Sequence, residues 1–456
     1  MRRARGLLAG LLLAAGVAAA ALIAWQQIGR SAADVVEHAR QRLQGHPVLA
    51  SWATPVLDAA AAWLDLPDTR DGGPPFVVPP LPPNPATAPA APSAAADPRI
   101  LRVGPTRALQ RIEAAARIAV DGSVIEIDPG DYVADVAVWT QADLVLRGLG
   151  DRVRLIAAGA HAEGKAIWVF RGRNATVENI SFVGARVPDR NGAGIRLERG
   201  RLTVRGCSFL DNETGLLTSD APGTQLEVVQ SEFGHNGHGD GFTHGLYVGR
   251  IDSLRLTGNH FHHANVGHLV KSRARWNRIE YNRITDGPGG RASYELELPN
   301  GGVAEIVGNL VQQARSTRNS VLVSYGAEGY TWPQNTLHMA HNTLVNDAAW
   351  GGTFVRVASG ATEVVLRNNL YVGSGRTTAG AAADTAGDRR AHRADFLDPG
   401  GLDYRLSARG VGTAGTPAPA PLAAGLLPRF EPAPVPGALP LWQAPRFAGA
   451  LQTVPP

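Results

Sequence analysis

An asparagine recurs at one position of a repeating pattern, and this repeat constrains the fold more than any other feature of the sequence. An apolar residue lies three positions before each asparagine and another lies two positions after it. The asparagines are Asn259, Asn282, Asn309, Asn342 and Asn369. The same frame extends backward to Ile180, Cys207 and Ser231. A repeat of this length is typical of solenoids, in which each turn buries its inner face only against neighbouring turns.

The segments around the asparagines alternate apolar and polar residues and are interrupted by Gly, Asn and Asp. Leu254–Phe261 (LRLTGNHF) and Ala304–Val311 (AEIVGNLV) are examples. This pattern favours short strands and turns over pairs of helices. Asparagine suits a turn because it tolerates a left-handed backbone, and its amide can bond to its counterparts in the turns above and below. The sequence therefore predicts an all-β solenoid.

With this register and the segment Ser123–Tyr132 (SVIEIDPGDY), the chain resembles the right-handed parallel β-helix proteins of the pectate-lyase-like superfamily. A leucine-rich repeat would need a Leu-rich consensus, which the sequence lacks. The resemblance implies a right-handed parallel β-helix, which we assign to residues 122–375. Its outward side chains line up about 4.8 Å apart on successive turns, a spacing that suits an extended polymer.

The N-terminal quarter of the chain has the composition of a leader and a spacer. Residues 1–25 combine three arginines in Met1–Arg5 with an uncharged apolar run, Gly6–Trp25, and are predicted to be a signal peptide or a membrane anchor. Residues 26–71 are predicted to be a helical juxtamembrane segment, and residues 72–98 a Pro/Ala-rich linker. Because positive residues stay inside, we expect a periplasmic or secreted protein, attached to the inner membrane if the leader is not cleaved.

A capping region and an irregular tail flank the predicted solenoid. Residues 99–121 are predicted to contain an amphipathic helix, Thr106–Ala119, with Thr106 as its N-cap. Such a helix covers the open first turn and protects its edge from pairing with other chains. Its apolar face comprises Leu109, Ile112, Ala115 and Ala116. Residues 376–456 are Pro/Ala-rich and are predicted to be irregular.

Composition excludes some classes of protein. The single cysteine, Cys207, excludes an internal disulfide. A formal charge of +4 is small for 456 residues, and the aromatic residues do not interleave with basic clusters. We therefore expect no nucleic-acid partner.

Four central strands carry polar residues that we expect on the outer face. If Val270, Leu296 and Val323 point inward, the two-residue period of a strand turns their polar neighbours outward. These candidates are Lys271, Glu295, Glu297 and Ser324, with Arg356 farther along the same row. The loops Gly237–His244 and Asp286–Ala292 are long enough to wall a groove.

Lys271 is the leading catalytic candidate for a compositional reason. Of 44 basic Lys and Arg residues, only Lys165 and Lys271 are lysine. Lysine can lose its proton when it is desolvated, whereas arginine stays charged. The structural alternative is an ion pair between Lys271 and Glu297 on the outer face.

Glu295 and Glu297 lie two residues apart on one strand, so both carboxylates are expected on the same face. Such a pair can bind a calcium ion, which would neutralise a substrate carboxylate. It can also raise the pKa of one member for acid–base chemistry. The structural alternative is a pair of solvated strand glutamates.

Histidines and a tyrosine belong to the same predicted turns. His244 and His268 are candidates for proton transfer because imidazole titrates near neutral pH, with polar turn residues as the alternative. Tyr247 can protonate a leaving oxygen or stack on a sugar ring. His262 and His263 are interpreted as turn residues, since the spacing shows no third zinc ligand.

Two segments carry a more specific resemblance. Gly267–Asn282 (GHLVKSRARWNRIEYN) is similar to the segment around the catalytic lysine of alginate lyases and chondroitinase B-type lyases. That resemblance implies that Lys271 abstracts a proton. Thr243–Asn259 (THGLYVGRIDSLRLTGN) together with GHLVKSR is similar to mannuronan C5-epimerases.

These resemblances imply an exported enzyme that acts on an anionic, uronate-containing polysaccharide. Lys271 or a histidine would remove the C5 proton, leading to elimination (a lyase) or to reprotonation (an epimerase). Arg273, Arg356 and Ser324 are the expected substrate-binding residues. One alternative is a non-catalytic polysaccharide-binding or scaffold protein of an envelope export system. Another is a glycoside hydrolase that uses paired acids from the set Asp240, Glu295 and Glu297.

Overall fold

The computed structural model describes residues 99–454 except 152, 318 and 415–419. The predicted leader (1–25), helical segment (26–71) and linker (72–98) lie outside the described residues. Within the described part of the chain, no helix has the length and apolar character needed to cross a membrane.

Three parallel sheets form the solenoid, and each turn of the chain visits sheet A, then sheet B, then sheet C. The strands of sheet A are Ile100–Val103, Val124–Ile127, Leu144–Gly148, Asn174–Glu178, Arg201–Arg205, Gln225–Val229, Ser253–Thr257, Trp276–Glu280, Val303–Val307, Thr336–Ala340 and Glu363–Arg367. The strands of sheet B are Gly130–Val133, Val153–Ile156, Ser181–Val183, Ser208–Leu210, Glu232–Gly234, His260–His262, Arg283–Thr285, Leu310–Gln313, Thr343–Asn346, Leu370–Gly373 and Arg389–Ala391. The strands of sheet C are Ala137–Trp139, Ala166–Phe170, Ala193–Leu197, Thr214–Thr218, Leu246–Val248, Val270–Ser272, Leu296–Leu298, Val321–Tyr325, Thr353–Val357 and Arg376–Gly380. The predicted all-β parallel solenoid is confirmed.

The recurring asparagines form a hydrogen-bonded ladder at the corner between sheets A and B. Each side-chain amide donates to the side-chain oxygen of the next asparagine at 2.9–3.0 Å. The backbone N–H of each asparagine donates to the same oxygen. Ser231 begins the ladder by donating its backbone N–H to Asn259, and Asp388 ends it by accepting from Asn369. The ladder satisfies buried polar groups on every turn, which is what a buried corner requires.

The left-handed residue of this corner is not the asparagine. Positive φ falls on the residue immediately before it, and the next strand begins at the residue immediately after it. The residues with positive φ are Gly258, Tyr281, Gly308, His341 and Asn368. The sequence expectation placed the turn one residue too late, because the asparagine is selected for its side-chain bonds and its neighbour makes the bend.

The interior is a continuous apolar column. Phe182, Phe209, Phe233 and Phe261 occupy the position two residues after the ladder register, and their rings stack at centroid distances of 5.1, 4.6 and 4.6 Å. All four are buried. Regular stacking of like side chains on successive turns packs this part of the interior closely.

The N-terminal helix is shorter than predicted. It spans Ile112–Ile118, and its N-cap position is Arg111 rather than Thr106. Asp135 accepts the backbone N–H groups of Ile112 and Glu113 at 2.7 and 2.9 Å. A carboxylate from the first turn of the solenoid therefore caps this helix, a long-range contact that a local cap signal does not reveal.

The C-terminal region is more regular than predicted. It contributes the last strands of sheets B and C and then two antiparallel strand pairs with short helices. These elements are the pairs Phe396–Asp398 with Asp403–Leu406 and Phe430–Pro432 with Ala438–Pro440, the helix Ala408–Ala414, and the 3₁₀ turns Arg393–Asp395 and Ala424–Leu426. Leu426 packs beside Tyr281, and Ala450 donates its N–H to Thr343, so the tail covers part of the A–B corner.

Candidate functional site

Sheet C presents one row of outward residues across seven turns. Each member of the row pairs directly with the next member on the neighbouring strand. The residues that precede Lys271, Glu297 and Ser324 in the chain point the other way, into the core. The row consists of Arg196, Leu217, Tyr247, Lys271, Glu297, Ser324 and Arg356. The core residues include Val270, Leu296 and Val323. The two-residue alternation inferred from the sequence therefore places Lys271, Glu297, Ser324 and Arg356 in a single row.

Lys271 is enclosed by two carboxylates. Its Nζ lies 3.1 Å from Glu297 Oε2 and 3.1 Å from Glu328 Oε1. The Lys271 side chain is only 11% exposed. The ion pair with Glu297, which the sequence offered as the structural alternative, is present, and Glu328 completes it. Lys271 therefore lies in an ion-pair cluster with both glutamates.

Behind Lys271 lies a buried chain of polar groups. His268 Nε2 is 3.1 Å from Glu297 Oε2, and the rings of His268 and His244 stack at 4.4 Å. Burial disfavours the charged form of Glu297, but the contacts with His268 and Lys271 outweigh it and hold the pKa of Glu297 below its usual value.

Both histidines are kept neutral. Burial lowers the pKa of His268, against the opposing effect of Glu297, and places the pKa of His244 well below its usual value. His244 Nδ1 accepts the backbone N–H of His268 at 3.0 Å, so its ring proton is on Nε2. Both side chains are almost fully buried. They support Glu297 and the strands and do not line the surface.

Tyr247 and Arg273 form the exposed side of the same centre. Arg273 Nε donates to the Tyr247 hydroxyl oxygen at 3.1 Å, and Lys271 Nζ lies 5.8 Å from the centre of the tyrosine ring. Arg273 Nη1 lies 2.7 Å from Glu328 Oε2 and also bonds to Asn300. Burial opposes the charge of Arg273, but the bonds to Glu328 and Tyr247 raise the pKa of Arg273 above its usual value. A phenol oxygen and a carboxylate thus share one guanidinium.

Glu328 and Asn300 complete the site and were not among the residues predicted from the sequence. Glu328 is 45% exposed and sits in a turn between Gly326 and Gly329, both of which have positive φ. A glutamate flanked by glycines directly after a site strand, Val321–Tyr325, is the sequence signal that marks it. The pKa of Glu328 is lowered, because its bonds to Arg273 and Lys271 outweigh the effect of partial burial.

A cleft of about 500 Å³ opens beside Tyr247 on the N-terminal side of Lys271. Tyr247 and Arg196 form its floor, and Asp240, Phe242 and Thr243 form a wall. The loop Gly237–His244 therefore borders the groove, as predicted. The loop Asp286–Ala292 does not line this cleft; its residues Gly287–Gly289 border a separate cavity of about 500 Å³ near Asn346 and Arg393.

The carboxyl group of Glu295 lies in a different environment from that of Glu297. It is fully buried and accepts a hydrogen bond from Gln313 of sheet B at 3.2 Å. Burial and the nearby Asp286 raise the pKa of Glu295 well above its usual value, so its carboxyl group is neutral. A carboxyl group binds calcium in its ionised form, and the carboxylate of Glu297 already pairs with Lys271 and His268. The predicted calcium site therefore does not fit these two residues, and neither does a pair of hydrolytic acids formed by them.

The remaining candidates lie toward the C-terminal end of the row. Ser324 is fully buried, and its hydroxyl group has no hydrogen-bond partner among the described residues. Arg356 is exposed one turn farther on. Arg356 can therefore meet an extended ligand on the surface, whereas Ser324 contributes to the packing beneath it. Asp240 is exposed in the cleft wall, bonded to the backbone of Phe242.

The sheet order, the ladder and the outward row define a parallel β-helix protein. The family of the right-handed β-helix region matches residues 157–311, a third of the chain. The predicted right-handed parallel β-helix fold is thereby confirmed.

Among solved structures, the chain is similar to the crystal structure of pectate lyase Pel9A, with 13% identity and a TM-score of 0.44. The match covers 74% of this chain and 95% of that one. A similarity at this level says nothing about the activity of this chain. A search of curated proteins finds no significant match.

Proposed function

We propose that the protein binds an extended anionic polysaccharide along the outer face of sheet C and cleaves it by elimination at a uronate residue. The observation that carries this proposal is that Lys271 and Arg273 together hold one carboxylate, that of Glu328, beside the cleft. Two cations that converge on an exposed carboxylate form a binding site for a substrate carboxylate of the same geometry.

In the bound state, the uronate carboxylate replaces Glu328. Arg273 and Lys271 then neutralise its charge, and Asn300, already bonded to Arg273, fixes the guanidinium. Withdrawing charge from this carboxylate makes the adjacent C5–H bond more acidic, because the carbanion-like transition state spreads its charge onto the carboxylate oxygens. Lys271 therefore acts as a cation, which departs from the role of base that the resemblance implies.

Tyr247 is the group that moves the proton in this proposal. Of the predicted catalytic residues, it is the one that lines the cleft, and Arg273 donates to its oxygen. The phenolate takes the proton from C5, and the resulting phenol gives a proton to the C4 oxygen as the glycosidic bond breaks. The products are an unsaturated uronate and a new chain end, and Tyr247 returns to the phenolate.

Elimination is favoured over epimerisation by the placement of these groups. Tyr247, Lys271 and Arg273 all approach from the side of sheet C, so a proton can be removed and returned on one face only. Epimerisation needs a proton donor on the opposite face of the sugar ring. The expected substrate is therefore a uronate whose C5 hydrogen and C4 oxygen lie on the same side of the sugar ring.

The experiment follows ultraviolet absorbance of unsaturated uronate on incubation with alginate, polygalacturonate or glucuronan, together with calorimetric binding. Tyr247→Phe is expected to keep binding and to lose turnover by a factor of about 10² or more. Lys271→Ala is expected to weaken binding. Arg154→Ala is the matched control, because Arg154 is a cation of sheet B that pairs with Asp131, away from the outward row of sheet C. Full turnover in Tyr247→Phe would remove Tyr247 from the mechanism.

A non-catalytic polysaccharide-binding function is the second candidate. It is favoured because Lys271 is paired with carboxylates on both sides, an arrangement suited to binding a negatively charged group. Calorimetric binding of an anionic polymer with no unsaturated product, in the wild-type protein, would select this function. We also propose export to the periplasm or beyond, which the composition of residues 1–25 supports, and which fractionation of the expressing cells tests.

A further inference from the structure

A cluster of histidines lies on sheet B, away from the outward row of sheet C. His235 follows the strand Glu232–Gly234, and His263 follows the next strand, His260–His262. The two residues have nearly equal positive φ values of 56° and 51°, so they occupy the same bend on successive turns. Their rings stack at 4.8 Å with an interplanar angle of 14°.

Three of these rings converge on one point. His235, His262 and His263 each offer a ring nitrogen, and these atoms all lie within 4.8 Å of one another. His262 Nδ1 and His263 Nδ1 are 2.9 Å apart. Two imidazole nitrogens on one zinc ion, each at about 2.0–2.1 Å, are separated by roughly 3.3 Å in a tetrahedral site. The nitrogens of His262 and His263 therefore need to separate by only a few tenths of an ångström, and the nitrogen of His235, which lies within 4.8 Å of both, closes in as the third ligand.

A carboxylate orients the central imidazole. Glu232 Oε1 lies 3.1 Å from His262 Nε2, which places the proton of that ring on Nε2 and leaves the lone pair on Nδ1, directed at the cluster. A carboxylate behind a metal-binding histidine is the arrangement that fixes the tautomer and increases ligand basicity.

Two glycines keep room for the rings. A Cβ atom at Gly234 would lie 2.3 Å from the ring of His262, and one at Gly287 would lie 2.9 Å from the ring of His263. All three histidine side chains are partly exposed, so an ion from solution can reach them. The cluster is open to solvent on one side and held by backbone on the other.

We propose that His235, His262 and His263 bind a divalent first-row transition metal ion, of which zinc is the expected member, with a coordination position left for water or an external ligand. Imidazole nitrogen suits zinc, copper and nickel, whereas calcium and magnesium prefer oxygen. The sequence concealed the third ligand because His235 is 27 residues before His262 and meets it only through the stacking of turns. This site is independent of the function proposed for sheet C.

The test uses the full-length protein, stripped of metal with a chelator and then titrated with Zn²⁺ by calorimetry and with Co²⁺ by visible absorption. We expect one site per chain, with Co²⁺ bands typical of nitrogen coordination. His235→Ala and His263→Ala should each weaken binding by at least about 100-fold, and Glu232→Gln by about 10- to 100-fold. Circular dichroism checks that each variant is folded.

His338→Ala is the matched control, because His338 is a histidine of sheet A that pairs with Glu363. It is expected to leave metal affinity unchanged. Equal Zn²⁺ affinity in the wild type and in the folded His235→Ala/His263→Ala double variant would overturn the proposal, as would a wild-type protein that gives no saturable Co²⁺ spectrum. If both histidine variants fail to fold, Glu232→Gln provides the test, since it leaves all three ligands in place. An unchanged Zn²⁺ affinity in that variant would then overturn the proposal.

Discussion

At the scale of single residues, Glu328 is predicted to weaken the binding of an anionic polymer. Its carboxylate occupies the place that we assign to the substrate carboxylate, and it competes with substrate for Lys271 and Arg273. Glu328→Gln removes the competing charge but keeps the shape of the side chain. We expect tighter binding of an anionic polymer, by a few-fold up to about tenfold, which corresponds to about 1 kcal/mol. Calorimetry with oligosaccharides measures it.

The matched control for this prediction is Glu363→Gln, which removes an exposed glutamate paired with His338 on sheet A. It should leave the affinity unchanged. If Glu328→Gln instead binds the polymer more weakly than the wild type, Glu328 is itself part of the binding surface and the competition model fails.

The row on sheet C could be read from the sequence, because strand alternation alone decides which residues face outward. Lys271, Glu297 and Arg356 were found in this way, and Arg273 lies two residues after Lys271. Glu295 was misplaced because alternation gives the direction of a side chain but not the neighbours that bury it, here Gln313 of sheet B. Glu328 was missed because it lies in a turn, where no periodic pattern applies, and reaches Lys271 from two turns away.

At the scale of the elements, the Asn ladder has a titratable end. Burial raises the pKa of Asp388 to about 7, although its bonds to Asn369 and Tyr371 act in the opposite direction. The folded state therefore holds a proton that the unfolded chain releases near pH 4. The stability from this proton is fully present below pH 4 and is lost as the pH rises through 7.

Asp388→Asn keeps the oxygen that accepts from Asn369 and removes the ionisation. We expect the unfolding free energy of this variant, minus that of the wild type, to rise by about 2 kcal/mol between pH 4 and pH 7. A fully buried group would contribute more, at ~1.4 kcal/mol for each unit of pKa shift, but Asp388 is only partly buried and water screens its charge. Urea denaturation at several pH values measures it. Histidines such as His341 also contribute to the pH dependence of stability in this range. They are present in both proteins, so their contributions cancel in the difference.

Asp398→Asn is the control, since Asp398 is exposed in the C-terminal strand pair. It should track the wild type at every pH. Parallel stability curves for wild type and Asp388→Asn would show that the end of the ladder is not protonated in the folded state.

The strands and their register were predictable because each asparagine fixes a corner through contacts that repeat identically. The helix Ile112–Ile118 was not delimited correctly, because its cap comes from Asp135, beyond the end of the helix in the chain. The C-terminal elements were missed for a related reason: they are held by contacts with earlier turns, such as that of Ala450 with Thr343, and proline-rich composition hides them.

At the scale of the whole molecule, the row from Arg196 to Arg356 sets the length of polymer that the protein can contact. Six steps of about 4.8 Å give a face of roughly 29 Å. We expect the affinity for uronate oligosaccharides to increase with chain length up to about six sugar units and then to level off. Calorimetry with size-fractionated oligomers measures this, and neutral oligomers of equal length serve as the control.

An affinity that is already maximal for a monosaccharide would contradict an extended site. An affinity that keeps rising well beyond the length of the row would indicate contacts outside sheet C.

The ladder also has an evolutionary consequence. Between Asn259 and Asn369 each amide meets an identical amide, so the removal or duplication of one complete coil joins the same chemical groups that were joined before. Only the two termini of the series, Ser231 and Asp388, are unique. Descendants of such a gene can therefore grow or shrink in whole units while their ends stay fixed. Only coils outside Tyr247–Glu328 can be lost in this way without removing part of the proposed site.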